Sequence, residues 1–168
     1  MTVTLYVPEP LTAEHDISVF FCGEASLDDW LRQRAMKNEV YGATRTYVVS
    51  SGYEVVGYYS LAVGSLEHKF APSNIKRNMP QPIPVMILAR LAVDRRYMGQ
   101  NIGTVMLQDA LLRTLQAADI AGIKALLVHA LNVKAAAFYR KRGFTVSPFD
   151  PLVLLLALDR AESLGVTP

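Results

Sequence analysis

The sequence predicts an α/β (α+β) domain with a central mixed β-sheet flanked by helices. Three observations predict it. Apolar residues recur at helical spacing in separate stretches, short β-branched or wholly apolar runs lie between them, and the resulting order is helix, hairpin, strand, helix, strand, helix, strand. At 168 residues the chain suits one domain, 1–168, without an internal repeat or low-complexity tract.

Each element has its own warrant. Ser26 to Val40 places Leu27, Trp30, Leu31 and Ala35 on one helical face, with Ser26 and Asp29 as a capping box and Gly42 as the stop. Arg45–Ser50 and Glu54–Val63 read as strands of a hairpin turning through Ser51, Gly52 and Tyr53. From Ala71 to Pro84 four prolines argue against a central strand or helix interior, so an exposed connection is expected. Val85–Val93 is nearly all apolar, as in a strand buried on both faces, with Arg90 the one charged intruder. A helix follows from about Ile102 to Ala121, stopped by Gly122. Ala125–Ala130 reads as a strand, Val133–Arg142 as a short helix ended by Gly143, and Leu152–Leu158 as a final strand.

Composition excludes several classes. No apolar run approaches the ~20 residues of a spanning helix, and Met1 to Pro10 lacks the basic and apolar regions of a secretory signal. No membrane contact and a cytoplasmic location are the expectation. Cys22 is the one cysteine, which excludes an internal disulfide and a Cys-rich zinc site; no metal is expected. A net charge of +2 makes no case for nucleic acid by itself. Distribution says more, since Lys69, Lys76, Arg77, Arg90, Arg95 and Arg96 face only two acids between Glu67 and Arg96.

The junction after the apolar strand suits an anion. Arg95 to Gly103 leads from a strand into a helix, where first-turn amides and a helix dipole of roughly +0.5 charge point outward. Gly99 and Gly103 admit a bulky phosphate to the backbone, and Arg95 and Arg96 add charge. An ordinary turn before a solvated basic helix start fits the same residues. The spacing matches neither a dinucleotide fingerprint nor a Walker loop.

The run Arg90-Leu91-Ala92-Val93-Asp94-Arg95, followed by Met98-Gly99-Gln100-Asn101-Ile102-Gly103, resembles motif A of the GNAT acetyltransferases, Q/R-x-x-G-x-G/A. The resemblance implies a sheet splayed between its two middle strands. It also implies acetyl-CoA as co-substrate, its pyrophosphate on the loop from Arg95 and Arg96 through Met98, Gly99, Gln100, Asn101, Ile102, Gly103 and Thr104. The pantetheine arm would pair with the backbone of Leu91, Ala92 and Val93. Met98 replaces the usual Gln or Arg, and Asn101 the first motif glycine, although Asn tolerates a left-handed backbone.

Asn132 to Phe144 matches the family's N-x-x-A-x-x-F-Y-x-x-x-G-F signature. It implies cofactor contacts from Asn132, Ala135, Phe138 and Arg142, and makes Tyr139 the catalytic acid at the thioester sulfur. A phenol at ~10 stays protonated beside a leaving thiolate whose thiol resembles cysteine at ~8.5; a plain core tyrosine is the alternative. Glu39, Glu54, Glu67, His68 and His129 offer no spacing that singles out a base. An α-amine near ~8 needs less help than a lysine at ~10.4.

Phe21-Cys22-Gly23, Leu27-Asp28-Asp29-Trp30-Leu31, Gly42 to Val48, Gly57 to Leu61 and Arg90 to Asp94 extend the resemblance to one branch, the acetyltransferase toxins of bacterial type II toxin-antitoxin systems. The branch implies acetylation of the α-amine of aminoacyl-tRNA, a ribbon-helix-helix antitoxin as partner, and a homodimer. Arg45, Lys69, Lys76, Arg77 and Arg90, with Arg34 and Lys37, then become candidate tRNA contacts. An acetyltransferase for protein N-termini or small amines, and an inactive GNAT-fold binding protein, are the competing readings.

Overall fold

The structure, a computed structural model, describes residues 6–163. In chain order the elements are β1 (Glu9–Pro10), α1 (Ala25–Gln33), α2 (Ala35–Tyr41), β2 (Arg45–Ser51), β3 (Glu54–Leu66), α3 (Ser73–Lys76), β4 (Ile83–Val93), α4 (Ile102–Ala118), β5 (Ala125–His129), α5 (Val133–Arg140), β6 (Thr145–Val146), β7 (Val153–Ala157) and α6 (Leu158–Ser163). Short 3-10 turns occupy His68–Phe70 and Arg95–Tyr97. The strands form one seven-stranded sheet in the order β1-β2-β3-β4-β5-β7-β6. β4 and β5 run parallel, while β1 with β2, β2 with β3, β5 with β7 and β6 with β7 run antiparallel. This is the mixed, helix-flanked sheet expected. Its contacts gather into two compact units, one holding the chain up to Ala62 with Arg90–Ala110, the other Val63–Ala89 with the chain from Leu111 onward.

In the first unit the β2–β3 hairpin runs from Arg45 opposite Leu61 to Ser51 opposite Glu54, and Gly52 takes φ +63 in the turn as only glycine does readily. Alternation along β3 sends neighbouring tyrosines to opposite faces. Tyr58 joins Phe20, Trp30, Leu31 and Ala35 in a buried cluster, its ring stacked on Trp30 at 6.0 Å, and its hydroxyl donates to the Leu27 carbonyl at 2.7 Å. Tyr59 stacks on Tyr47 at 5.2 Å and donates to the Asp109 carboxylate of α4. Burying such rings contributes on the order of 1.5–3 kcal/mol each. Gly57 lets α4 close on β3, because a Cβ there would meet Ile102 and Met106 at 3.0–3.2 Å.

The expected helix over 26–40 is two helices. Arg34, at φ −121, breaks the run, and α2 restarts at buried Ala35; Trp30, Leu31 and Ala35 still share one core. The Ser26–Asp29 capping box is absent: Glu24 is the N-cap and makes no side-chain cap. The neighbouring Asp28 is buried instead, and accepts from the Cys22 amide at 2.9 Å. Gly42 ends α2 at φ +75, as expected.

In the second unit Leu66, Ala71, Ile75, Ile83, Val85, Leu127 and Leu155 share a core. The stretch 71–84 is therefore more than an exposed connection. Pro72 precedes α3 at its N-cap, where a missing amide is harmless, and α3 drops Ile75 into the core. Pro84 sits one residue inside β4, before the β5 ladder begins at Val85, and its carbonyl accepts from Lys124 at 2.9 Å. The β4–β5 ladder ends at Leu88 opposite Val128, so β4 runs five residues past its last pair with β5. α4 and α5 stop at Ala118 and Arg140, each followed by a turn rather than another helical residue. No helix among the described residues is long and apolar enough to cross a membrane.

Candidate active site

In the first unit the site begins where β4 ends. Ala92 enters the core with Trp30 and Tyr58, so its side chain is spent on packing and only its backbone remains for a ligand. Arg90 lies on the same face by strand alternation, with its guanidinium 4.2 Å from the Trp30 ring centre. The ring face gives this half-buried charge a partner. Burial pulls the Arg90 pKa down, partly opposed by Tyr58.

Asp94, 1% exposed, organises the loop. One carboxylate oxygen accepts from the Arg96 amide at 2.9 Å and from Arg96 Nε at 3.0 Å; the other accepts from the Phe21 amide at 3.1 Å and from Arg96 Nη2 at 3.1 Å. The backbone adds Asp94 N to the Val56 carbonyl at 2.8 Å and Arg95 N to the Phe21 carbonyl at 2.9 Å. Burial works to raise the carboxyl pKa, but the Arg96 and Phe21 donors outweigh it and hold the group below its ordinary value. Arg96 also binds Glu54. The two arginines expected at the phosphate differ in their partners: Arg96 is held by two carboxylates, whereas Arg95 has no carboxylate within ion-pair distance among the described residues.

Beyond the 3-10 turn the backbone opens. Gly99 takes φ +84 with nothing within 4 Å of where a Cβ would stand, and Asn101 takes φ +62, the left-handed conformation that Asn tolerates. The first helical bond of α4 runs from Val105 N to the Asn101 carbonyl, so the amides of Ile102 and Gly103 precede the ladder. Met98 is 55% exposed, and Gln100 accepts from the Tyr6 hydroxyl at 2.8 Å. Such a cradle fits a diphosphate, since it combines room, amides and the positive end of a 17-residue helix.

In the second unit Asn132 caps α5, its side chain accepting from Ala135 N at 2.9 Å. Tyr139 is buried, with Phe138 edge-on at 5.2 Å and Phe144 at 5.5 Å. Burial alone pushes the phenol pKa far above its ordinary value. Arg142 lies over the Phe138 ring at 3.7 Å and donates to the Phe138 carbonyl at 2.9 Å, which fixes the ring beside Tyr139.

A family model described as an acetyltransferase (GNAT) domain matches residues 42–146. This chain belongs to the GNAT acetyltransferases. It is 47% identical over 157 residues to the "tRNA-acetylating toxin" of Mycobacterium tuberculosis, covering 94% of this chain and 95% of that protein. It is similar to the structure of AtaT complexed with acetyl-methionyl-tRNAfMet, at a TM-score of 0.87 and 30% identity over 95% of this chain and 99% of that one. A mutant AtaT toxin bound to the C-terminus of the antitoxin AtaR and acetyl-CoA aligns at a TM-score of 0.82 and 28% identity, over 98% of this chain and 100% of that one.

In this GNAT chain each carboxylate candidate for a general base is already engaged. Glu39 accepts from Thr46 N at 3.0 Å, Glu54 holds Arg96, and Glu67 pairs with Lys69 at 3.6 Å. His68 Nε2 meets the Pro80 carbonyl at 2.7 Å. The basic candidates divide between the units. Arg45 donates to the Glu39 carbonyl at 2.9 Å, and Lys69 lies 5.0 Å from the Phe70 ring centre beside Glu67. Lys76 and Arg77 are exposed at the end of α3, as are Arg34 and Lys37 on the first pair of helices. Sequence reasoning missed Asp94 and Glu54 as organisers of the GNAT loop, because their partners lie 73 and 42 residues away. The nearby charge pattern Asp-x-Arg at 94–96 was the available signal. Among the described residues no group of three or more His, Cys, Asp or Glu is placed to hold a metal.

Proposed function

We propose that this chain is an acetyl-CoA-dependent N-acetyltransferase toxin that acetylates the α-amine of aminoacyl-tRNA and so blocks translation. The observation that carries the reading is 47% identity to a tRNA-acetylating toxin across 94% of the chain. Acetyl-CoA, when bound, supplies an acetyl group on a thioester whose sulfur leaves once an amine has attacked the carbonyl. The open backbone at Gly99 and Asn101 and the start of α4 hold the diphosphate, with Arg95 adding charge. Leu91 and Val93 offer main-chain groups to the pantetheine arm on the part of β4 that lies past its β5 ladder.

Tyr139 points its phenolic O–H at the departing sulfur as a hydrogen-bond donor. Transfer from a phenol above ~10 to a thiolate whose thiol sits near ~8.5 is uphill by more than ~2 kcal/mol, at 1.36 kcal/mol per pKa unit. Tyr139 therefore stabilises the charge as it forms, and the proton shed by the attacking nitrogen reaches the sulfur through water. Because the carboxylate bases are occupied, the attacking amine arrives neutral, as a fraction of an α-amine near ~8 does at physiological pH. Lys76 and Arg77, joined by Arg90, Arg45 and Lys69, meet phosphates of the acceptor RNA. A cognate antitoxin with a ribbon-helix-helix end neutralises the enzyme, which works as a cytoplasmic homodimer.

The test is incubation with labelled acetyl-CoA and total charged tRNA, against a panel of peptides and small amines. Label on aminoacyl-tRNA at the α-amine is the expected result. Label confined to peptides or metabolites would replace this acceptor with another.

A further inference from the structure

The segment Phe21-Cys22-Gly23, singled out in the sequence but given no task so far, wraps the Arg95 side chain. The Phe21 ring centre lies 5.3 Å from the Arg95 guanidinium carbon, and the Phe21 carbonyl takes the Arg95 amide at 2.9 Å. Gly23 stands at φ +98, and a Cβ there would come within 2.6 Å of Arg95 Nε and Nη2. A side chain at 23 would thus displace the guanidinium. The same segment is itself fixed, by Phe21 N on Asp94 and Cys22 N on Asp28. A guanidinium stacked on a ring keeps its planar fork oriented, and without a carboxylate on it that fork matches a phosphate.

We infer that Phe21 and Gly23 are positioning residues that hold Arg95 as a phosphate-binding arm of the acetyl-transfer reaction. The inference rests on the proposed function, in which the phosphate on Arg95 is the coenzyme's; the RNA backbone is the other source, and the test separates the two. The neutralised Arg96 next door explains why one arginine of the pair needs such a mount and the other does not.

Steady-state kinetics with acetyl-CoA and charged tRNA, together with calorimetric titration of coenzyme A, test this on Phe21→Leu, Gly23→Ala and Arg95→Gln, singly and combined. Arg95→Gln should raise one KM about ten-fold or more at nearly unchanged kcat. Phe21→Leu, which removes a ring already 54% exposed and so leaves the fold intact, should raise the same KM about 2- to 5-fold. In the Arg95→Gln background Phe21→Leu should add no further effect, since it acts through that guanidinium, whereas Gly23→Ala keeps the backbone strain of a side chain at φ +98. Weaker coenzyme A binding identifies the coenzyme phosphate. A raised tRNA KM, with a salt slope lower by about 0.7–0.9, identifies the RNA. If Arg95→Gln leaves both KM values and the coenzyme A affinity unchanged, or Phe21→Leu is equally harmful without Arg95, the inference is overturned. Calorimetry reads the coenzyme arm even if charged tRNA is not the acceptor, so failure of the proposed acceptor remains distinguishable.

Discussion

Replacing Tyr139 by Phe removes one hydroxyl from a side chain that is 7% exposed and whose pKa is moved by burial alone, with no hydrogen bond contributing. Stability should therefore hold. The rings of Phe138 and Phe144 keep their contacts, no bonded partner is orphaned, and the melting temperature should move by less than about 3 °C. Catalysis should not hold. A hydrogen bond to a charged group contributes roughly 1.5–3 kcal/mol, and losing it in the transition state alone lowers kcat by about 10- to 150-fold with KM for acetyl-CoA little changed. The pH dependence gives a further check. A raised phenol pKa keeps the proton on as pH rises, so the ratio of wild-type to Tyr139→Phe rates should stay flat to about pH 10, where an ordinary tyrosine would begin to ionise. Single-turnover transfer of labelled acetyl to charged tRNA, alongside thermal melts, measures both. Undiminished kcat in Tyr139→Phe, or a loss fully explained by unfolding, would refute the role given to this phenol.

Asp94→Asn should destabilise the protein by roughly 2–3 kcal/mol in urea titrations, because a buried acceptor of four bonds loses its charge and Arg96 loses a partner while keeping Glu54. The native carboxyl titrates below its unfolded value near ~3.9. Its contribution is thus complete above that pH and vanishes as pH falls through the lower native value, and the gap between the two proteins should shrink only in strong acid. Charge reversal at Lys76 and Arg77 should raise the KM for tRNA about ten-fold or more at low salt and spare coenzyme A affinity in calorimetry; equal loss of both would point to misfolding. Burial, then Asp28, pushes the Cys22 thiol up to about 11, so a disulfide reagent at pH 8 should modify it only on adding denaturant.

The sequence showed what local periodicity and turn chemistry decide. The β2–β3 hairpin, the stop at Gly42, the long α4 and the left-handed Asn101 all follow from neighbours within a few residues. What was not legible depended on distant partners. Arg34 breaks a helix that periodicity would continue, and Trp30, Leu31 and Ala35 keep helical spacing across it, so the apolar pattern carries no sign of the break. Prolines hid α3, whose reason to exist is the slot that Ile75 fills. β1 and β6, two residues each, are shorter than any sequence period. At the site, Arg95 and Arg96 look equivalent in sequence and differ because Glu54 and Asp94 hold only the second.

The Asp94 carboxylate also has a consequence for protein engineering. Residues 90–103 look like a portable cassette, yet their geometry borrows an amide and a carbonyl from residue 21. A chimaera that exchanged the cassette between homologues without residues 20–23 would carry the right letters into the wrong frame. Recombination breakpoints that preserve activity should therefore keep both stretches from the same parent.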